Sequence, residues 1–540
     1  MAHSRPLHWL ALLAVGGLLT FPQLGATALW DMDEGVNAEC GREMMEAGTW
    51  IVPTFNWELR TAKPVLTYWL QRPAYVWFGV SEWSARLPSA LCGLGTVLVT
   101  YELGRRMFGA VTGLLAGLAL ASCVQHVLLA HAATPDAPLV FALTAAFALV
   151  WVGQEDGGRG FLVWPGLAVG VTLLAKGPVG LVLPGFATVL YLGWNRELGR
   201  LLDRRLVWGL LLVLAVAAPW YALVATETRG EWPKAFFLNE NLNRATVAQE
   251  NHSGPFYYYL GCVLALFAPW TAVIGPTLWD AGRATWRGDR GTLFLLCWTV
   301  AVLLPFSLAR TKLPNYVAPV YPALALLTAR FLMRWAREDV LMPRWVWWVV
   351  VWSVMLTGVG YSVGLMLANG AGAHPSHGTR GFPGLQNWAW VGLLPMAAAV
   401  VMHLAGKPAG VVTLTLSAVG LVGLVAAGPP LVIDRYKAAK TLVLESGARD
   451  PERDIRLATF EWNADNQSLV FYAERRVQPL FAADQAAGFL TLPRPAVLFC
   501  PAATWEQQLA ARSELAGCTV RVRKYDFYKH SELVAVSNGR

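Results

Sequence analysis

The sequence predicts a mainly α-helical, polytopic membrane protein of about thirteen transmembrane helices, followed by a small α/β domain outside the membrane. Three observations predict it. Of the 540 residues, 55% are hydrophobic and only 14% are charged, where a soluble domain carries about 25% charged residues. Apolar runs of roughly 17 to 25 residues, each long enough to cross a bilayer, recur through the first 430 positions. Beyond them the pattern changes to short strand-like and helical segments in alternation.

The runs lie near 8–29, 85–104, 109–129, 135–153, 161–175, 178–194, 206–225, 257–278, 292–309, 314–333, 345–368, 387–404 and 409–430. The first reads as an uncleaved span, because no small-residue cleavage site and soluble mature domain follow it. The apolar stretch 161–194 is too long for one helix. Lys176-Gly177-Pro178 divides it with a charge, a flexible residue and a helix-initiating proline.

Loop charge sets the orientation. Arginine gathers in alternate loops: Arg105 and Arg106; Arg196, Arg200, Arg204 and Arg205; Arg283, Arg287 and Arg290; Arg330, Arg334 and Arg337. By the positive-inside rule these loops and the N-terminus are cytoplasmic. An odd number of spans then puts the tail on the opposite side. The net charge of +8 follows from the same bias. No basic run or recognition motif points to nucleic acid.

Residues 1–430 thus form a transmembrane domain with large outer loops near 30–84 and 226–256, and residues 431–540 form the α/β domain. In the first loop, 35–48 carries Val36, Cys40, Met44 and Ala47 at helical spacing. The aromatic stretch 64–78 suits a helix lying in the membrane interface. In the tail, strands are expected at 457–462, 477–481, 496–500, 519–525 and 533–536, and helices at 436–445, 466–475 and 504–515. This order suggests a largely parallel sheet, with Cys500 and Cys518 at opposite ends of it and not disulfide-bonded.

The candidate chemistry gathers at the outer rim. Trp30-Asp31-Met32-Asp33-Glu34-Gly35 sets three carboxylates just after the first span, where acids are costly unless solvated or paired. Asp33 and Glu34 also suit a helix start. Asp136 lies at the outer end of its span. Arg60, Lys63, Lys176, Arg244, Arg310 and Lys312 share the predicted outer face, which usually lacks cations. Such cations either meet lipid head groups or clamp a phosphate. Tyr68, Tyr316 and Tyr321 lie close by in sequence, where tyrosines also serve as interfacial anchors. His131 and His252 face outward without enough companions for a metal site, so no ligand motif supports a divalent metal.

Several motifs occur in a telling order: Leu29-Trp30 through Asp33-Glu34, Thr49-Trp50-Ile51-Val52-Pro53, Lys63-Pro64, Thr134-Pro135-Asp136 and Ala175-Lys176-Gly177. Phe236-Phe237 with Glu240 and Arg244, Gly254-Pro255-Phe256-Tyr257, and Lys312-Leu313-Pro314-Asn315-Tyr316 follow. To about residue 330 the chain resembles the bacterial lipid A aminoarabinose transferases, within the protein O-mannosyltransferase-like group of GT-C membrane glycosyltransferases. It departs from that family at Ala62, where the family carries an acid before the lysine.

The resemblance implies transfer of 4-amino-4-deoxy-L-arabinose from undecaprenyl phosphate to a lipid A phosphate. This would occur at the periplasmic face of the bacterial inner membrane and confer resistance to polymyxin and cationic peptides. It implies Asp33 as the shared first-loop acid, and Asp136, converging on the same membrane face, reads as a second catalytic acid. Glu34, Arg60, Lys63, Tyr68, Lys176, Glu240, Arg244, Lys312, Tyr316 and Tyr321 would contact substrate. The rival readings are a GT-C enzyme with a protein or glycan acceptor, and a transporter of lipid-linked sugar. Transporters place their charges near mid-membrane, often within internal repeats; here the charges sit at the rim and no repeat is visible.

Overall fold

The computed structural model describes residues 4–31, 33–155, 163–243, 254–340, 342–371, 381–450, 452–462 and 467–540. Arg244 and His252 lie outside them, as does Asn466 at the start of an expected helix. Helical structure underlies every expected membrane run. Among the described residues, seven helices are long and apolar enough to span, or nine if each of two bent pairs is one span.

The differences from the expected runs have local causes. The first helix is Ser4–Thr20 and ends before Pro22, so 21–31 is turn and extended chain rather than span. The run 109–129 bends by 65° between Ala121 and Val124, and the run 257–278 bends by 112° around Pro269. Gly177, at φ +76°, breaks Pro165–Lys176 from Val179–Trp194. A Cβ there would meet the Phe236 ring at 2.5 Å, so the turn demands glycine on both counts. The last helical stretch, Leu385–Asp434, breaks at Gly406.

In the first outer loop the helix Glu34–Glu46 buries almost its whole circumference. It stops before Ala47, which is exposed. Val36, Cys40 and Met44 pack against Trp220 and Trp232. The charged side is covered too. Arg42 pairs with Glu39, and Glu43 accepts from the Thr54 hydroxyl at 2.6 Å and the Trp57 amide at 3.1 Å. Those bonds pin a short hairpin, β1 (Thr54–Phe55) with β2 (Glu58–Leu59). The helix Leu66–Phe78 buries Thr67, Tyr68, Gln71, Ala74 and Tyr75 and leaves Trp77 76% exposed, an interfacial pattern.

The tail forms a five-stranded sheet in the order β4-β3-β5-β7-β6, from β3 (Arg456–Phe460), β4 (Val477–Leu480), β5 (Ala496–Pro501), β6 (Thr519–Asp526) and β7 (Ser531–Ser537). The first three are parallel, but β7 runs antiparallel to both neighbours, so the sheet is mixed rather than largely parallel. The cause is the short link between β6 and β7, which permits a hairpin and not a crossover. A shared core ties this sheet to the first loop: Leu29, Ala38 and Tyr75 pack with Leu442, Phe471 and Tyr472.

Candidate functional site

Asp136 opens the helix Asp136–Glu155 and Lys176 closes Pro165–Lys176. An acid at a helix N-terminus and a cation at a C-terminus each suit the helix dipole, and the two side chains form an ion pair. Asn315 donates to the other Asp136 oxygen at 2.9 Å. The Lys176 ammonium also lies 5.2 Å from the centre of the Tyr316 ring.

This pair stands between two cavities of opposite character. Asp136 lines one of about 340 Å³ together with Trp30, Asp31, Asp33, Glu34, His131 and Arg86, the last paired with Glu34. Lys176 lines another of about 150 Å³ with Lys63, Glu240, Phe306 and Tyr316. Ala62, where an acid was expected by family resemblance, lines the second cavity and adds no charge there. The arrangement offers a chamber with two lysines and one acid, suited to a phosphate, beside one in which carboxylates outnumber the single arginine, suited to an ammonium or a sugar hydroxyl.

Adjacent acids of the first loop have different places. Asp33 is exposed, and among the described residues its carboxylate makes no hydrogen bond or ion pair, nor does it cap the helix that follows. Glu34 is buried against Arg86 with two bonds of 2.7 and 2.8 Å. Its oxygens also accept from the amides of Trp30 at 2.8 Å and Ala133 at 2.6 Å. Arg86 beside it holds the Glu34 carboxyl below the usual range, against the upward push of burial. Its acceptor positions are filled by protein donors, so Glu34, which also lines the cavity, is held as part of the scaffold. Asp31 is buried as well, and burial raises its carboxyl to about 7.

Three other expected substrate contacts are buried among protein partners. Lys312 is buried and donates to the carbonyls of Ser307 and Ala309 at 2.7 Å and Phe306 at 3.3 Å, so it caps the preceding helix. Tyr321 is 1% exposed in the helical core, stacked on Phe267. Tyr68 is equally buried and faces Asn37 at 3.4 Å, in a core that the interfacial helix could not have shown by sequence alone. Arg60 lies beside Tyr68 and Cys40. Arg310 is exposed. The structure therefore brings together Asp33, Asp136, Lys63, Lys176, Glu240 and Tyr316.

Sequence reasoning missed Arg86 and Asn315. Arg86 had a signal, a charge within an apolar run. Asn315 lay inside a motif already singled out for its neighbours. Among the described residues no group of three or more His, Cys, Asp or Glu side chains is placed to hold a metal ion.

Comparison with known proteins points to a family of membrane glycosyltransferases. A family model described as dolichyl-phosphate-mannose-protein mannosyltransferase matches residues 62–222. An undecaprenyl phosphate-α-4-amino-4-deoxy-L-arabinose arabinosyl transferase of Erwinia tasmaniensis is 34% identical over 310 residues, 56% of this chain and 55% of that protein. An uncharacterized protein of Aquifex aeolicus is 31% identical over 57% of this chain and 69% of its own length. The crystal structure of ArnT from Cupriavidus metallidurans bound to undecaprenyl phosphate superposes with a TM-score of 0.81 at 26% identity, covering 98% of this chain and 97% of that one. The chain spans between 55% and 62% of the length of the first curated relatives it matches.

Proposed function

Because the chain belongs to the protein O-mannosyltransferase-like family of GT-C membrane glycosyltransferases, we propose that it transfers 4-amino-4-deoxy-L-arabinose from undecaprenyl phosphate to a phosphate of lipid A. The single observation that carries this reading is the juxtaposition of a cationic and an acidic chamber at the Asp136–Lys176 pair. It is supported by the curated relatives of that name and by the similar structure that holds undecaprenyl phosphate.

The chemistry follows from the charges. An oxygen of the acceptor phosphate attacks the anomeric carbon of the sugar. The bond from that carbon to the donor phosphate breaks, and undecaprenyl phosphate leaves with the electron pair. Lys63 and Lys176 stabilise the charge gathering on the leaving phosphate. The acceptor is already anionic at neutral pH, so it needs no general base. Asp33 therefore acts as an orienting and electrostatic group, holding the ammonium of the donor sugar, with Asp136 setting the position of Lys176. Glu240 and Tyr316 line the donor side, and the reaction is a single displacement with inversion at the anomeric carbon.

The protein has thirteen spans in the bacterial inner membrane, a cytoplasmic N-terminus, and its site and C-terminal domain in the periplasm. The alternation of arginine-rich loops supports this orientation. Masking the lipid A phosphates with an amino sugar lowers negative surface charge and so confers resistance to polymyxin and cationic peptides. Mass spectrometry of lipid A from cells with and without the protein, followed by reconstitution with purified polyprenyl-linked donors, tests the reading. Gain of an aminopentose on lipid A is expected. Transfer only to a protein or glycan acceptor would replace it with the related glycosyltransferase reading.

A further inference from the structure

Residues 28–31, which lead to Asp33, belong to no helix or strand, yet most of their backbone is buried. Buried amides and carbonyls need partners, and here the C-terminal domain supplies them. The Ala28 amide donates to Asp434 at 2.8 Å, and its carbonyl accepts from the Lys437 ammonium at 2.6 Å. The Leu29 amide donates to the Tyr472 hydroxyl at 2.7 Å, and the Asp31 amide to the Tyr528 hydroxyl at 3.0 Å. The Asp31 carboxylate in turn accepts from the Ser468 amide at 2.8 Å.

The fit continues past Asp33. Gly35 lies so close to the tail that a Cβ would come within 2.5 Å of the Ser468 backbone nitrogen and 2.6 Å of its Cα. No real Cβ tolerates that against backbone, so glycine is required for the two segments to meet. The acid proposed to face the substrate thus lies between two contacts, Asp31 and Gly35, that both close on Ser468.

We propose that the C-terminal domain is a working part of the site, and that Asp31, Gly35 and their partner Ser468 form a latch that positions the Asp33 carboxylate. Asp31 is a positioning residue here. The inference rests on the transfer reaction proposed above for Asp33. A segment without secondary structure of its own loses conformational freedom in ordering and needs such partners to stay fixed, and a displacement of about 1 Å at a reacting group lowers rate by about a hundredfold.

The test uses the purified full-length protein and the variants Gly35→Ala, Tyr528→Phe, Asp31→Leu and Asp31→Asn. Gly35→Ala and Asp31→Leu are expected to lower kcat by about a hundredfold while undecaprenyl phosphate affinity stays at the wild-type value. Asp31→Asn keeps an acceptor for Ser468 and restores most of the rate lost in Asp31→Leu. Amide hydrogen exchange across 28–35 is expected to quicken in Gly35→Ala and Tyr528→Phe, a readout independent of any reaction. Unchanged exchange in both variants would overturn the latch. So would wild-type kcat in a folded Gly35→Ala protein, or a rate loss confined to the Asp31 variants, which would mark Asp31 as a direct substrate contact. If the wild type transfers no aminopentose, the reaction assignment falls, and exchange still decides the contact.

Discussion

The ammonium of Lys176 meets the carboxylate of Asp136 across 40 positions of sequence, and Asn315 holds the other carboxylate oxygen from a third segment. Removing one partner of a buried pair leaves the other charge uncompensated, at a cost of about 3–5 kcal/mol. Asp136→Asn and Lys176→Met should each lower unfolding stability by an amount of that order. The double variant should recover most of the loss, because both charges are then gone. It should stay inactive, since the phosphate chamber has lost a cation. Melting and transfer assays on the four proteins check this. A double variant no more stable than the singles would count against the pairing.

Asp33 and Glu34 are neighbours with opposite expectations. Asp33→Asn removes no cap hydrogen bond and the side chain is exposed, so its melting temperature should stay close to the wild type while transfer falls by orders of magnitude. Glu34→Gln weakens the buried contact with Arg86, and should destabilise the protein by about 3 kcal/mol or more. A stable Glu34→Gln protein, or an active Asp33→Asn protein, would reverse the assignment of the two acids.

Lys63 and Lys312 separate in the same way. Lys63 lines the cationic cavity. Losing one charge-assisted contact costs about 2–3 kcal/mol, so Lys63→Ala should weaken undecaprenyl phosphate binding by roughly thirty- to over a hundredfold. Lys63→Arg should restore only part of it, because a planar fork does not replace a point charge. Lys312→Met leaves three carbonyls without their donor. It should lower stability with little change in phosphate affinity. Equal binding by wild type and Lys63→Ala would remove Lys63 from the site.

Burial raises the Asp31 carboxyl from 3.8 to about 7, with Asp526 adding to the rise and Ser468 and Lys437 opposing it. An unfolded chain releases this proton near 4 and the folded chain near 7. The stability from Asp31 is therefore fully present below about pH 4 and is lost as pH rises through about 7. Each pK unit corresponds to about 1.4 kcal/mol. Burial also lowers Lys437, to about 8, so that group titrates above this window. Melting curves from pH 4 to 8 should show the wild type losing stability relative to Asp31→Asn as pH rises. Parallel curves for the two proteins would contradict the shift.

Reporter fusions after residues 200 and 440 should report opposite compartments, cytoplasm and periplasm. The same compartment for both would overturn the thirteen-span orientation.

By itself the sequence determined the mainly helical membrane character, the break at Lys176-Gly177-Pro178 and the presence of a C-terminal sheet. Period, length and local chemistry are enough for these: Lys176-Gly177-Pro178 ends one helix and starts another wherever it occurs. It also marked the loop acid Asp33, the span-end acid Asp136 and the outer cations Lys63 and Lys176 as belonging to one face. Only the tertiary structure decided which charges remain available. Glu34 and Lys312 stand in the same outer segments as Asp33 and Lys63, yet Arg86 takes the first and a helix end takes the second. Tyr321 and Tyr68 likewise turn inward. The reason is physical: a charge's partner is chosen by packing between segments far apart in the chain. The docking of the tail onto residues 28–35 is the largest such choice, made by hydrogen bonds spanning more than 400 positions, which no local pattern records.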